Sequence, residues 1–254
     1  CPLTDGNISP AVLAKLIRRE TRLVAVTTAS NVTGAAPDLK AIREAIPARV
    51  LLLADGAQGG GHLPIDLSET GIDVLTLAGH KGLMGIQGSG ALLFSERANP
   101  RPLLYGGTGS DSFSLNMPDF YPDALEAGTL SFPAVSSLLE GVRYLSAKEK
   151  EISGSLLFLT GYLLDALAGL PAYKVFSRPN PCGIVAFAHR EIQSEILSER
   201  LSEVYSIAVR GGLHCAPLMH EALGTKENGL VRVSFSHFNR KEEVNALIRA
   251  LRAF

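Results

Sequence analysis

Scarcity is the first guide to this chain. Cysteine occurs three times, as Cys1, Cys182 and Cys215, too few and too scattered for a disulfide framework or a metal cluster. That points to a reducing, cytoplasmic setting and to no metal. Excess charge of either sign is missing as well. Lys and Arg total 24 against 25 Asp and Glu, interspersed for a net charge of −1, so no footprint for nucleic acid or anionic lipid is present. No uninterrupted apolar run is long enough to span a bilayer; the best candidate, "ISGSLLFLTGYLLDALAGL", is broken by Ser, Thr and Asp, so the chain reads as soluble with no membrane partner. It opens on Cys1 rather than Met, without the basic and apolar regions of a signal peptide, and is read as a piece of something longer.

What remains is a globular composition, 46% apolar and 19% charged over 254 residues, for which a small-molecule site is the default expectation. Helix-like and strand-like segments alternate up to about residue 95. "SPAVLAKLIRRE" opens a helix, with Ser9 as cap and Pro10 at the first helical position. Four short apolar runs, at 21–28, 49–55, 73–79 and 90–95, read as strands buried on both faces, and "PDLKAIREAI" supplies a helix between the first two. This is the signature of an α/β unit with a mostly parallel sheet. From Arg97 to Gly128 a Gly-, Pro-, Ser- and Asp-rich stretch is too long for an ordinary connection and reads as a functional loop. A long helix follows over 132–169, bent or interrupted near Gly154. Beyond it the expected elements form a smaller α+β unit, with strands in "YKVFSR", "GIVAFAH", "SIAVRGG" and "LVRVSF" and helices at 191–204 and 240–252. The boundary is placed near residue 150.

Three polar groups sit just past apolar strands, at the sheet edge where α/β folds bind ligands. Lys81 stands between His80 and a run of glycines; a partly desolvated amine there can form a Schiff base, although a solvated surface lysine is the blander alternative. Asp55, followed three positions later by Gln58, suits a protonated pyridine nitrogen or, equally, a helix cap. Asn31 in "TTASNVTG" can reach a ring oxygen or form an Asx turn.

The series "SNVTG", "DGAQ", "GHKGLMGIQGSGAL", "GGTGS", "PDALEAGT", "RGGLHCAPLMHEALGT" and "VRVSFSHFN" resembles, in order, the signatures of the class V aminotransferase group of fold-type I pyridoxal phosphate enzymes, which includes the cysteine desulfurases. The resemblance implies a large cofactor-binding domain, partial here and covering residues 1–150, and a C-terminal small domain over 151–254. It implies pyridoxal 5'-phosphate carried on Lys81, Asp55 against the pyridine nitrogen, Gln58 and Asn31 near the phenolic oxygen, and His80 at the phosphate. Thr129 is implied to reach the phosphate of a partner subunit, which makes a homodimer part of the expectation; helix capping is the alternative for Thr129, and a buried structural histidine for His80. Ala78 stands where the family usually carries Ser or Thr.

"RGGLHCAPLMHEALG" bears on the substrate. Cys215 lies on a glycine-containing loop beside His214 and just before a helix start at Pro217, a setting for an exposed thiol made reactive by the helix terminus and by His214. In group II cysteine desulfurases, which share R-x-G-x-H-C-A, this cysteine takes sulfur from the substrate. Cys182, leading into an apolar strand, reads instead as a buried small hydrophobe. Arg232 interrupts a strand with a fork of donors suited to a carboxylate; the resemblance implies that it binds the α-carboxylate of the substrate, with Arg210 as a second cation near the active site, although a surface salt bridge would also account for Arg210. The histidines form no metal-ligand pattern with the cysteines. The implied activity is a desulfurase that converts L-cysteine to L-alanine and passes sulfur to an acceptor protein or small thiol. A class V aminotransferase, a selenocysteine lyase, or an inactive fragment lacking the N-terminal part of the site are the other readings.

Overall fold

The computed structural model describes residues 3–4 and 6–254, so Cys1 lies outside the described residues. A short antiparallel pair, β1 (Leu3–Thr4) and β2 (Asn7–Ile8), leads into α1 (Pro10–Leu16), where the Ser9 hydroxyl accepts from Val12 N and proline occupies the first turn. Then come β3 (Leu23–Thr27), α2 (Leu39–Ala45, capped by Asp38), β4 (Leu51–Asp55), α3 (Leu67–Thr70), β5 (Val74–Ala78) and β6 (Gly90–Phe94). The sheet runs in the order β3-β4-β5-β6, parallel for its first two pairings and antiparallel for the last. Parallel strands joined by crossovers end together at one edge, which carries Asn31, Asp55 and Lys81 to neighbouring positions.

Burial departs from expectation. These strands are covered on one face only: Val24, Val26, Leu52, Ala54 and Leu75 pack with Leu13, Leu39 and Ile42 of α1 and α2, while Leu23 on the other face is 48% exposed and Leu92 and Leu93 of β6 are open. At the end of the sheet remote from the site, buried Asp73 accepts from Leu52 N at 2.8 Å and lies within ion-pair distance of Arg43 and Arg97, which satisfies its charge.

After a long irregular loop with one 3-10 turn at Asp123–Leu125, α4 (Phe132–Ala168) runs as one unbroken helix of 37 residues. The expected interruption at Gly154 does not occur. Glycine lowers helix propensity but keeps its N–H, so the ladder can continue through it. An 18-residue stretch of α4 has a mean hydropathy of 1.2 and is long enough to cross a bilayer, yet Leu156, Leu159, Leu163 and Leu167 are spent in the protein core. Residue 150 lies inside this helix: its first half packs through Leu145 and Ile152 against Leu83, its second against the C-terminal sheet.

That sheet is β7 (Tyr173–Val175), β8 (Ile184–His189) and β9 (Val231–Ser234), antiparallel in the order β7-β8-β9. It packs with α5 (Ser194–Tyr205) and α7 (Lys241–Leu251), while α6 (Pro217–Leu223) carries the loop that follows Cys215. The strand expected in "SIAVRGG" shrinks to a single bridge between Arg210 and Arg232, because left-handed Ser206 and the pair Gly211–Gly212, with Gly212 at φ 98°, leave no room for a ladder.

Candidate active site

The turn after β5 is built by close backbone approach. A side chain at Gly82 would strike the Gly60 carbonyl and crowd the His62 ring, and one at Gly61 would strike the Gly82 carbonyl. Only glycine lets the 55–62 segment and the Lys81 turn pack backbone to backbone. From the other side, Ser137 Oγ accepts from Ile86 N at 3.0 Å, and Gly141 of α4 meets the Leu83 carbonyl, so the helix braces the same turn. Thr28, fully buried, donates its N–H to the Asp55 carbonyl at 2.9 Å and locks the ends of β3 and β4 together.

These contacts surround a cavity of about 400 Å³ lined by Lys81, Asp55, Gln58 and Asn31, together with Asn7 and Met219. The first four are the residues the sequence proposed; Asn7 and Met219 carried no readable signal, being one amide in a short hairpin and one apolar residue on a short helix. Lys81 is exposed to the cavity and forms no salt bridge among the described residues. Asp55 accepts from Ala57 N at 2.9 Å through Oδ1, an Asx turn with no helix after it, so the helix-cap alternative fails. Asn31 forms no Asx turn; its Nδ2 donates to the His214 carbonyl at 2.7 Å, across the molecule.

His80 is exposed and is not among the residues lining the cavity, which rules out the buried structural histidine that its setting allowed. Thr129 is exposed, is not among the residues lining the cavity, and is not the helix cap, a position taken by Ser131. Ala78 pairs with Gly90 at the end of β5.

Cys215 is exposed, and Arg210 Nη2 lies 3.4 Å from its Sγ. Arg210 takes part in no salt bridge among the described residues, so its charge is turned to the thiol. Cys182, by contrast, is buried, and burial pushes its thiol up to about 11. His214 requires a correction. It is 2% exposed, its Nε2 lies 3.0 Å from the Leu230 carbonyl, and burial, then Arg232, push its pKa down to about 4. The ring is therefore neutral near pH 7, so the positive charge beside Cys215 is that of Arg210 and not of His214.

Arg232 donates from Nη1 to the Asn31 carbonyl at 2.9 Å, while its buried Nε has no protein partner. Burial, then Arg210, lower its pKa, and Cys215 opposes them. A half-buried guanidinium with an unspent N–H beside a second arginine has the donors that a carboxylate requires. The donor set also suits the implied cofactor: one unpaired amine, one carboxylate and three primary amides, those of Asn7, Asn31 and Gln58, around a single cavity match an aldehyde, a pyridinium nitrogen and a ring oxygen.

Three parallel strands presenting these groups at one edge, under a long helix that leads to an antiparallel C-terminal unit, define the α/β fold of the fold-type I pyridoxal phosphate enzymes. Within that class the chain belongs to the aminotransferase class-V family, whose profile matches residues 2–247. It is 33% identical over 249 residues to the cysteine desulfurase CsdA of Escherichia coli, covering 94% of this chain and 60% of that protein. It is 30% identical over 253 residues to a probable cysteine desulfurase of Methanothermobacter thermautotrophicus, covering 95% and 62%. The crystal structure of CsdA in its S-sulfonic acid form superposes with a TM-score of 0.88 at 29% identity, over 99% of this chain and 63% of that one. The apo cysteine desulfurase of Thermococcus onnurineus gives 0.87 at 28%, over 98% and 63%. The chain thus spans about three fifths of the length of the relatives it matches.

Proposed function

We propose that this chain belongs to a pyridoxal phosphate-dependent cysteine desulfurase. The observation that carries this reading is the exposed Cys215, set against Arg210 and tied through the Asn31–His214 hydrogen bond to the cavity that holds Lys81 and Asp55. When bound, pyridoxal phosphate supplies an electron sink that acidifies the α-carbon of an amino acid. The chain's own groups do the rest. Asp55 would keep a ring nitrogen protonated, Asn31 and Gln58 would orient the ring, and the Arg232 Nε–H would donate to the substrate carboxylate. Lys81 takes and returns the α-proton.

The Cys215 thiolate attacks the substrate sulfur. A sulfur–sulfur bond forms, the carbon–sulfur bond breaks, and its electron pair stays with the β-carbon, which takes up a proton and becomes the methyl group of alanine. Cys215 is left as a persulfide, whose outer sulfur passes to a thiol acceptor, protein or small molecule, and returns Cys215 to its thiolate. L-Cysteine rather than an oxo acid is favoured as substrate because an aminotransferase has no use for a nucleophilic thiol at this position.

A homodimer belongs to the same proposal. The loop after residue 100 and the start of α4 expose Leu103, Phe113, Leu115 and Phe132, at 92%, 99%, 103% and 79%, on the stretch that also holds Thr129. An apolar surface of this kind calls for a partner. The unpaired state of Cys182 and Cys215 favours a reducing, cytoplasmic location.

The test is visible absorption after addition of pyridoxal phosphate, with Lys81→Ala as control, followed by alanine release from L-cysteine with Cys215→Ser as control. A lysine-dependent band and a cysteine-dependent release of alanine support the proposal. Identical spectra for wild type and Lys81→Ala would end it for this chain.

A further inference from the structure

His214 and Cys215 are consecutive non-glycine residues in the left-handed region, at φ 53° and 59°. Two such residues in succession are uncommon, and contacts from elsewhere in the fold hold the turn. Those contacts form a closed circuit. The His214 carbonyl accepts from Asn31 Nδ2 at 2.7 Å, and the Asn31 carbonyl accepts from Arg232 Nη1 at 2.9 Å. Arg232 and Arg210 exchange both backbone hydrogen bonds, at 2.8 and 3.1 Å, and Arg210 Nη2 returns to Cys215 Sγ. The circuit is pinned from below by the His214 ring. Its Nε2 faces the Leu230 carbonyl, an acceptor only, so the ring proton sits on Nε2. Behind that ring lies His220, fully buried, with ring centroids 5.5 Å apart, and His220 is fixed in turn by Nδ1 against Thr225 Oγ1 at 2.9 Å.

We infer that His214 is a positioning residue: its neutral ring, anchored on Leu230 and backed by His220, holds the Cys215 turn in the strained geometry that keeps the thiol against Arg210. It touches no reacting atom. The catalytic consequence rests on the desulfurase reading above, but the placement of the thiol does not.

The test therefore measures the thiol directly. The chain loaded with pyridoxal phosphate is treated with iodoacetamide at pH 7, and alkylation of Cys215 is followed by peptide mass spectrometry in wild type, Arg210→Ala, His214→Leu, the double variant and His214→Gln. A cation beside a thiol favours the reactive thiolate, so Arg210→Ala is expected to slow alkylation roughly 3- to 10-fold. His214→Leu should slow it comparably, and the double variant no more than either alone, because both changes break one contact. His214→Gln, whose side-chain amide can still donate toward Leu230, should stay within about twofold of wild type. A role in folding alone would lower the melting temperature without producing this non-additive pattern. Wild-type alkylation in His214→Leu, or an effect that multiplies with Arg210→Ala, overturns the inference. If His214→Leu does not fold, Thr225→Val, which frees His220, should give a smaller slowing in the same direction, and an unchanged rate there refutes the circuit. Retention of the pattern without alanine release would sink the desulfurase reading alone; alanine release without the pattern would sink this inference alone.

Discussion

The two turns that carry chemistry reach comparable precision by opposite means. The Lys81 turn gets its shape mainly from residues without side chains: Gly60, Gly61 and Gly82 let two backbones touch, and Ser137 of α4 braces the turn from outside. At Cys215 the turn gets its shape from side chains that come from far away, Asn31 being 183 positions distant in sequence. One geometry rests on close backbone approach, the other on side-chain hydrogen bonds. The first should fail on an added methyl group; the second should fail when a side-chain partner is removed.

The largest separation comes from breaking one turn and sparing the other. Lys81→Ala is expected to abolish the cofactor band while Cys215 still alkylates, and Cys215→Ser to cut alanine release on the order of a thousandfold while the band persists. Loss of the band in Cys215→Ser, measured by visible absorption, would show that the turns are not separable. Next in size, Gly82→Ala places a methyl group against the Gly60 carbonyl and the His62 ring and should destabilise by about 1–3 kcal/mol in chemical denaturation. Gly154→Ala, in the middle of α4 with open space around it, should instead stabilise by about 0.5–1 kcal/mol. Equal effects at the two glycines would contradict the close-packing account. Asn31→Ala removes the hydrogen bond that clamps His214 and should cost about 1 kcal/mol, read in the same denaturation experiment.

What the sequence made legible follows the same division. Strands β3 to β6 and helices α1 and α2 were readable because apolar periodicity and caps such as Ser9 and Asp38 act within a few residues, whereas the two-residue strands β1 and β2 and the four-residue α3 are too short to show a period. Asp55, Gln58, Asn31 and Lys81 could be grouped because parallel strands deliver their C-terminal ends to one edge. The "SIAVRGG" strand was misread because its apolar pattern is real but Gly211 and Gly212 confine its pairing to one bridge. The uninterrupted α4 was missed because a glycine that weakens a short helix is outvoted in a long one that packs on two cores. His214 was misassigned as a cation beside the thiol because nothing near it in sequence announces that its ring is buried against Leu230.

That burial gives the smallest expected effect and the most specific. The pKa of His214 is pushed down to about 4 by burial, with Arg232, His220 and Arg210 adding in the same direction and the Leu230 carbonyl opposing, whereas in the unfolded chain it takes its ordinary value near 6.5. Between those values the unfolded state binds the proton and the folded state does not, so stability falls as pH drops from about 6.5 toward 4 and levels off below. His62, His220 and His237 are shifted down by burial too and steepen the same decline. Urea midpoints at pH 7.5, 5.5 and 4.5 should therefore decrease for the wild type, and decrease less for His214→Gln, which has no proton to take up. If His214→Gln and wild type decline in parallel, the His214 ring already carries its proton in the folded state, and the neutral pin under Cys215 is wrong.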